Sequence, residues 1–206
     1  MADSLEDIGS YELFPFDANW ATNPSMTMIL ARNIIKFPGT TVEMESYFDY
    51  VPEAWTLSFT LSEYSDIYDF QDFFHERRGR WGAFWVRIPI VEFTLQEGIL
   101  SGASSMFVNR NYANLNYQGD ERIWFGMQNG DILTRKVSSL TDDEDNDRIS
   151  LAVATSIDRN LTVSDPYIIG RLLLARFQED SLIMDFETDK VVSIQVTFYE
   201  LVNEYP

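Results

Sequence analysis

The feature that most constrains this sequence is a two-residue period of apolar side chains. Trp55, Leu57, Phe59 and Leu61 alternate with threonine and serine. Because successive side chains of a β-strand point to opposite faces, the alternation predicts a strand with one buried face. Similar patterns predict strands at 26–37, 42–48, 81–88, 123–128, 131–137, 149–154, 171–177, 182–186 and 191–201. Asn129-Gly130 is typical of a short β-hairpin turn between two of them.

One segment, residues 63–78, follows a helical period instead. Ile67, Phe70 and Phe74 fall on one face of a helix. Ser62 or Ser65 is the expected N-cap, because a side-chain hydroxyl accepts a bond from the first free backbone N–H groups. We expect the apolar face to pack on the strand at 55–61. The opposite face carries Asp69, Asp72 and Glu76, and the last turn carries Arg77 and Arg78.

These patterns predict an all-β protein with one accessory α-helix. A change in texture near residue 95 suggests two modules. Residues 1–95 would form a β-sandwich or barrel with the helix, and 96–165 a small β module inserted into it. The closing strands at 166–206 would then complete the first domain.

Composition narrows the function. Hydrophobic residues make up 45% of the 206, enough for a core, and there is no cysteine for a disulfide or a thiolate metal site. The net charge of −18 argues against gripping a phosphate backbone, so we expect no sequence-specific nucleic-acid binding. The acidic start of the chain predicts no signal peptide, and no apolar run predicts membrane insertion.

Residues for catalysis are scarce. The single histidine, His75, lies on the predicted helix, and no Gly-x-Ser-x-Gly elbow is present. Asp143, Asp145 and Asp147 match the first positions of a calcium loop, but Arg148 stands where that loop needs glycine. We therefore predict a protein that is not an enzyme, with no catalytic, cofactor-binding or metal-binding residues and no cofactor. With 33 acidic residues, carboxylate pairs arise by chance, so a glycoside hydrolase stays as an alternative.

Three arginines form the one concentrated basic feature. Arg77, Arg78 and Arg80 surround Gly79 and precede Trp81. They are open to three interpretations: a helix cap, a nucleic-acid contact, or a contact between copies of the chain. In a chain so acidic, a neighbouring copy offers carboxylates that match the planar guanidinium fork. We predict a subunit interface at these three arginines.

The motif around these arginines resembles a known family. The run from Phe73 to Trp85, Phe-Phe-His-Glu-Arg-Arg-Gly-Arg-Trp-Gly-Ala-Phe-Trp, follows an aromatic strand at 55–60 and Asn19-Trp20. In this order the motifs resemble tail-tip proteins of long-tailed bacteriophages and gene-transfer particles. Segments of the second half are similar to such proteins in the same order, namely 102–108, 129–130, 175–182 and 196–201.

The resemblance implies a structural role in the virion. Such a protein, a distal tail or hub protein, would use a tail-tube-like β-sandwich or barrel with a packed helix. It would form a threefold or sixfold homo-oligomeric ring joining the tail tube to the tip or baseplate, with a channel for DNA. Its partners would be the tube subunit and hub or fibre proteins, and assembly would take place in the bacterial host cytoplasm. Acidic residues would line the channel, and the three arginines would lie away from it.

A carbohydrate-binding β-sandwich is the competing interpretation. It would present tryptophan and tyrosine side chains as stacking platforms for sugars. Buried side chains at Trp20, Trp55, Trp81 and Trp85 would favour the structural role, whereas exposed aromatic side chains in a concave groove would favour sugar binding.

Overall fold

A computed structural model describes residues 3–6, 8–19, 21–29, 32–36, 42–46, 52–110, 121–143 and 148–201. The described residues form antiparallel strands, apart from one parallel pair, and a single α-helix. This confirms the predicted class, all-β with one accessory helix. The strands are β1 Ser4–Leu5, β2 Ser25–Met28, β3 Arg32–Lys36, β4 Val42–Ser46, β5 Glu53–Leu61, β6 Phe84–Arg87, β7 Phe93–Leu95, β8 Ser105–Arg110, β9 Arg122–Met127, β10 Ile132–Asp143, β11 Arg148–Val153, β12 Pro166–Phe177, β13 Met184–Phe186 and β14 Val192–Glu200, with α1 at Tyr64–Glu76 between β5 and β6.

The chain divides into two compact units, neither of which is one continuous segment. Phe16–Ala83 and Leu174–Glu204 make up what we call the helical unit. Met1–Pro15 and Phe84–Leu173 belong to what we call the all-strand unit. The expected module boundaries lay near residues 95 and 165, whereas the compact units change over after residues 83 and 173. A division into independently folding domains at 1–95, 96–165 and 166–206 stays a prediction.

The helical unit contains the hydrogen-bonded strands β13, β14, β5 and β2, in that order, and the end of β12, which also pairs with β14. Trp55, Leu57, Phe59 and Leu61 are all buried in β5, as their alternation predicts. Strands β3 and β4 pair with each other as a separate two-stranded sheet. The single strand expected at 26–37 is therefore wrong: its residues supply β2 and β3, which lie in different sheets.

Helix α1 covers the sheet of this unit with its apolar face. Ile67, Phe70 and Phe74 are buried, and the ring centroids of Phe70 and Phe59 lie 5.7 Å apart. Phe74 packs against Phe177 at 4.9 Å. These contacts confirm the predicted packing of the helix on the strand at 55–61.

The start of α1 differs from the prediction. Glu63 occupies the N-cap position with extended backbone, and its side chain makes no capping bond. Ser62 and Ser65 were therefore the wrong candidates, and the Ser65 hydroxyl instead lies 3.5 Å from the Asp66 carboxylate. An acid near the first turn still interacts favourably with the positive end of the helix dipole.

The strand after the helix also begins later than predicted. Residues Gly79–Trp81 form one turn of 3₁₀ helix, and β6 starts only at Phe84. Aromatic residues on both sides of this turn gave it the composition of a strand. The backbone departs from a strand because Arg78 and Gly79 both adopt left-handed conformations, with φ of 51° and 60°.

The all-strand unit is built around the predicted hairpin. Strands β9 and β10 pair antiparallel with Gly126 opposite Ile132, and Gly130 in the connecting turn has φ of 89°. Strand β10 continues to pair with β11, and β11 with β8. Their inward side chains form an aliphatic core that includes Val108, Ile123, Leu133 and Leu151.

Several sequence predictions fall on residues outside the described ranges. They concern Trp20, the turn at Pro38-Gly39, the end of the strand predicted at 42–48, and the acidic loop at 144–147.

Candidate functional site

The three arginines of the predicted interface lie where helix α1 ends. Backbone N–H groups of Arg77 and Arg78 donate to the carbonyl oxygens of Phe73 and His75, at 3.1 and 3.0 Å. These bonds use carbonyls that a helix end leaves without partners. The left-handed backbone of Arg78 and Gly79 then turns the chain away from the helix axis. The run therefore begins as a helix cap, one of the three interpretations that the sequence left open.

The side chains of the three arginines are placed differently from one another. The guanidinium of Arg77 is half-buried and lies 5.0 Å from the centre of the Phe73 ring, a cation–π contact within the helix end. Arg78 and Arg80 are exposed. The structure thus assigns Arg77 to the end of the helix and leaves two arginines at the surface.

Arg80 is fixed by a carboxylate on a second segment of the helical unit. Its Nε lies 2.8 Å from Asp180 Oδ2, and its backbone N–H donates to Asp180 Oδ1 at 3.2 Å. Gly79 permits this approach, since a Cβ on residue 79 would lie 2.9 Å from Asp180 Oδ1. Both members of the ion pair remain more than half exposed, so the pair orients the turn and contributes little to stability.

Trp81 does not show the burial that would have favoured the structural role over carbohydrate binding. Its side chain is 81% exposed, whereas Trp55 and Trp85 are buried at 3% and 0%. An indole with that exposure leaves a large apolar area in water. Two buried tryptophans and one exposed tryptophan do not decide between the structural role and carbohydrate binding. The position of the exposed side chains in the fold is more informative.

Strand register places further exposed apolar side chains along the same helix. Met184 pairs with Ile194, and Ile194 with Phe59, the residue that contacts the helix. Directly opposed residues share a face of the sheet, so Met184 lies on the helix side, as does Phe186 two residues later. The 3.2 Å contact between Gln71 Nε2 and Met184 Sδ confirms this placement.

A continuous segment, 180–186, therefore follows one flank of α1. It starts at Asp180, the ion-pair partner of Arg80, and ends at Phe186. Phe186 pairs with Val192, and Val192 pairs with Leu61, the last residue of β5 before the helix. Among the described residues ten large hydrophobic side chains are exposed, and five of them belong to this helix, its turn or this segment. We call these five the flank surface: Tyr64, Tyr68, Trp81, Ile183 and Phe186.

The sequence identified only part of the flank surface. Trp81 was named as the start of a predicted strand and as a tryptophan whose exposure would help to separate the two interpretations. Tyr64 and Tyr68 are spaced four apart on the polar side of the predicted helix, and that spacing is a signal that was available. Ile183 and Phe186 give no such signal. In a short strand the sequence pattern does not show whether an apolar side chain is buried or exposed.

The all-strand unit contains a second candidate, an open cleft of about 200 Å³. Its lining residues come from the β9–β10 turn and from the loop before β12: Met127, Gln128, Asn129, Arg159, Asn160, Leu161 and Asp165. None of these is aromatic, so the cleft lacks the stacking platform that the carbohydrate interpretation requires.

Charged groups beside the cleft are held by one another. Arg159 bonds to Asp131 at 2.9 Å and to Asp158 at 3.3 Å, and the fully buried Arg135 reaches Asp158 at 3.4 Å. Burial disfavours the charged form of Asp158, but the hydrogen bond and charge of Arg159, and then the charge of Arg135, lower its pKa below the ordinary value. The cluster is a set of internal ion pairs that fixes the loop.

Few groups for metal or acid–base chemistry come together in the described part of the chain. His75 is exposed on α1, and no group of three or more His, Asp or Glu able to hold a metal ion occurs among the described residues. The aspartates at calcium-loop spacing lie partly outside the described ranges.

The comparisons with known proteins are negative. No model of a protein family matches the chain, and no curated protein matches it. The functional proposal therefore rests on the resemblance and on the geometry of the flank surface.

Within the described ranges, no helix has the length and apolar character to cross a membrane.

Proposed function

We propose that the chain is a structural protein of a bacteriophage tail tip, a distal tail or hub protein. In this role it assembles as a homo-oligomeric ring that joins the tail tube to the tip or baseplate and leaves a channel for DNA. The order of motifs around the Arg-Gly-Arg turn and in the second half of the chain supports this family. The all-β fold with one helix packed on the sheet agrees with it.

The flank surface is the observation that carries the proposal. Tyr68, Ile183 and Phe186 are more than 60% exposed, and Trp81 more so, within one helix, the turn that follows it and the segment beside it. Burying a large apolar side chain contributes about 1.5–3 kcal/mol, so a monomer leaves much of this free energy unused. Tryptophan, tyrosine and arginine are also the residue types enriched at protein interfaces.

The arginines fit the subunit interface proposed for them. Arg78 and Arg80 are exposed next to Trp81, and Arg80 is already oriented by Asp180. A fixed guanidinium loses less conformational entropy on binding than a free one. In a chain of charge −18, the acidic surface of a second copy is attracted to this turn.

The net charge fits a channel through which DNA passes. Carboxylates on a channel wall repel phosphates within a Debye length of about 8 Å, so the duplex slides without being held. We propose that acidic side chains line the channel and that Arg77, Arg78 and Arg80 lie outside it. The role needs no catalytic residue or cofactor. Its partners are the tube subunit and hub or fibre proteins, in a virion assembled in the bacterial cytoplasm.

Native mass measurement of the purified chain tests the proposal. We expect a single closed species of three or six copies at high protein concentration. Trp81→Ala should raise the concentration needed for assembly about tenfold or more, since tryptophan contacts at interfaces contribute about 2 kcal/mol or more. Leu100→Ala is the matched control, because Leu100 is 74% exposed but lies in the all-strand unit. A chain that stays monomeric at every concentration, alone and with tail partners, contradicts the proposal.

One observation favours carbohydrate binding as a second candidate. Trp81, Tyr68 and Phe186 are exposed aromatic side chains of the kind that stack on sugar rings. They lie along the flank of a helix, and the described cleft has no aromatic lining. Binding of bacterial surface glycans that is lost in Trp81→Ala, by a chain that stays monomeric, would replace the assembly proposal with this one.

A further inference from the structure

In the helical unit, β14 pairs with β13 at residues 192–194 and with the end of β12 at residues 198–200, while β2 lies on the other side of β5. Within the described part of the chain, β13 pairs with β14 alone and β2 pairs with β5 alone. The outer edge of such a strand presents backbone N–H and C=O groups that a further strand can bind. The unit therefore offers two different edges, one beside the flank surface and one at the opposite end of the strand order.

The β2 edge carries almost none of the features that prevent pairing. Its sequence, Ser-Met-Thr-Met, has no charged residue and no proline in a chain with 48 charged residues, and no register shift interrupts its pairing with β5. Ser25, Thr27 and Met28 are exposed. Edge strands are ordinarily blunted by lysine, proline, a bulge or a covering segment; β2 itself contains no lysine, proline or bulge, and no described strand other than β5 pairs with it.

The β13 edge, in contrast, is acidic. Asp185 is exposed at its centre, and the segment from Glu179 to Lys190 contains five acidic residues and one lysine. Two β13 edges brought together would place like charges opposite one another, which destabilises a strand pair. An uncharged edge avoids this repulsion, so charge selects β2 as the better partner for β13.

The side chains of the two edges also match. Met28, which ends β2, is 59% exposed. Strand β13 contributes Phe186 to the flank surface, and Ile183 directly precedes the strand. A strand added at β13 brings its side chains against this apolar surface, about 4.7–4.9 Å away in the sheet direction.

We propose that β2 of one copy of the chain adds to β13 of the next copy, beside the flank surface. This inference rests on the proposed function, because it names the contact through which the ring forms. Pairing of unlike edges is a head-to-tail contact, which repeats around a ring, whereas pairing of two β2 edges closes at a dimer and leaves β13 open.

A charge exchange between the two edges tests this contact. Thr27→Glu puts a negative charge opposite the acidic β13 edge and should raise the concentration for half-assembly about fivefold or more. Thr27→Lys, the matched control, should assemble at the wild-type concentration or below it. Asp185→Lys combined with Thr27→Glu should restore assembly, because the charges then attract. Circular dichroism and thermal unfolding confirm that each variant folds.

Crosslinking provides a second readout that does not depend on charge. Since the chain has no cysteine, Thr27→Cys with Asp185→Cys introduces two thiols in known places. A short bismaleimide should join copies of the double variant into a ladder that ends at the ring number. Each single variant should give dimers at most, because it has only one thiol per copy.

The outcomes separate this inference from the proposed function. A wild-type ring that Thr27→Glu leaves unchanged, or one whose loss Asp185→Lys does not repair, overturns the β2–β13 contact and leaves the ring standing. A wild-type chain that remains monomeric overturns the ring, and the contact with it. Weakening by Thr27→Glu, repair by Asp185→Lys and a crosslinked ladder together support the contact.

Discussion

Both units are built mainly from antiparallel strands, but the side chains that fill their cores differ. The helical unit packs phenylalanine rings from β5, α1, β12 and β14 and buries two carboxylates, Glu53 and Glu200. The all-strand unit packs mostly aliphatic side chains and buries guanidinium groups, Arg122 and Arg135, as well as the carboxylates of Glu92 and Asp131.

Each unit satisfies its buried charges in its own way. In the helical unit, Glu200 accepts a bond from the backbone N–H of Glu53 at 2.9 Å, and the Glu53 carboxylate accepts one from the Trp55 indole at 2.8 Å. In the all-strand unit, Arg135 donates to backbone carbonyls and reaches Asp158. In the helical unit, the buried carboxylates are bound by N–H donors of the same sheet. In the all-strand unit, buried guanidinium groups bind backbone carbonyls and carboxylates and so hold the loops in place.

The largest effect should come from the aromatic core of the helical unit. Phe70 is fully buried between Phe59 and Phe16, with ring centroids 5.7 and 4.8 Å away. Phe70→Ala should lower the free energy of unfolding by about 3–5 kcal/mol through lost burial and a cavity. Chemical denaturation measures the loss, and hydrogen exchange should place it in β5, α1 and β14. The control is Phe186→Ala at 62% exposure, and a loss below about 1 kcal/mol for Phe70→Ala would refute the packing.

A smaller effect is expected from the buried cation of the all-strand unit. Arg135 has no exposed side-chain surface and donates to the carbonyl oxygens of Thr134 and Ser156, at 2.7 and 3.2 Å. Arg135→Met keeps the apolar volume but leaves both carbonyls without this donor, which should lower the free energy of unfolding by about 2–3 kcal/mol. Increased hydrogen exchange should appear in β10 and in the loop after β11. If Arg135→Met increased hydrogen exchange equally in both units, the proposed role of Arg135 in the all-strand unit alone would be wrong.

The smallest effect concerns the pH dependence of Asp158. Its pKa is lower in the folded chain than the ordinary value of 3.8, so the unfolded chain binds the proton more tightly. The stabilisation by this carboxylate is therefore present above the ordinary pKa and is lost as pH falls through the folded pKa. Since the side chain is 45% exposed, solvent screens the attraction and the effect is weaker than that of Arg135→Met.

Unfolding measured against pH checks this sign. Asp158→Asn should be less stable than the wild type at neutral pH, and the difference should shrink in acid as the wild-type carboxyl is protonated. A difference that grows in acid would mean that the pKa is raised.

Regular local patterns were predictable from sequence, and irregular backbone was not. The alternation in β5, the apolar face of α1 and the Asn129-Gly130 turn each follow from a fixed period or a known turn chemistry. The end of the helix before Gly79 was predicted, but Trp81 was assigned to the next strand instead of the 3₁₀ turn at Gly79–Trp81, because the left-handed backbone of Arg78 has no signature in composition.

The candidate site was harder to predict for a related reason. The arginines were visible as a cluster, but the partner that orients Arg80, Asp180, lies 100 residues away in the chain. Only the strand register brings segment 180–186 to the flank of α1. A pairing between segments so distant in sequence has no local pattern in a single sequence. The flank surface could therefore be identified only from the structure.

The division of the helical unit into two separated segments has a consequence for its synthesis. Strand β5 has to wait for β14, since Thr56 and its partner Thr197 are 141 residues apart. At about 5–20 residues per second, the ribosome leaves this edge of β5 without its β14 partner for roughly 7–28 s. During that time the segments already made expose a Phe-rich strand and helix, and such intermediates aggregate readily. The excess of acidic side chains makes nascent chains repel one another during this interval.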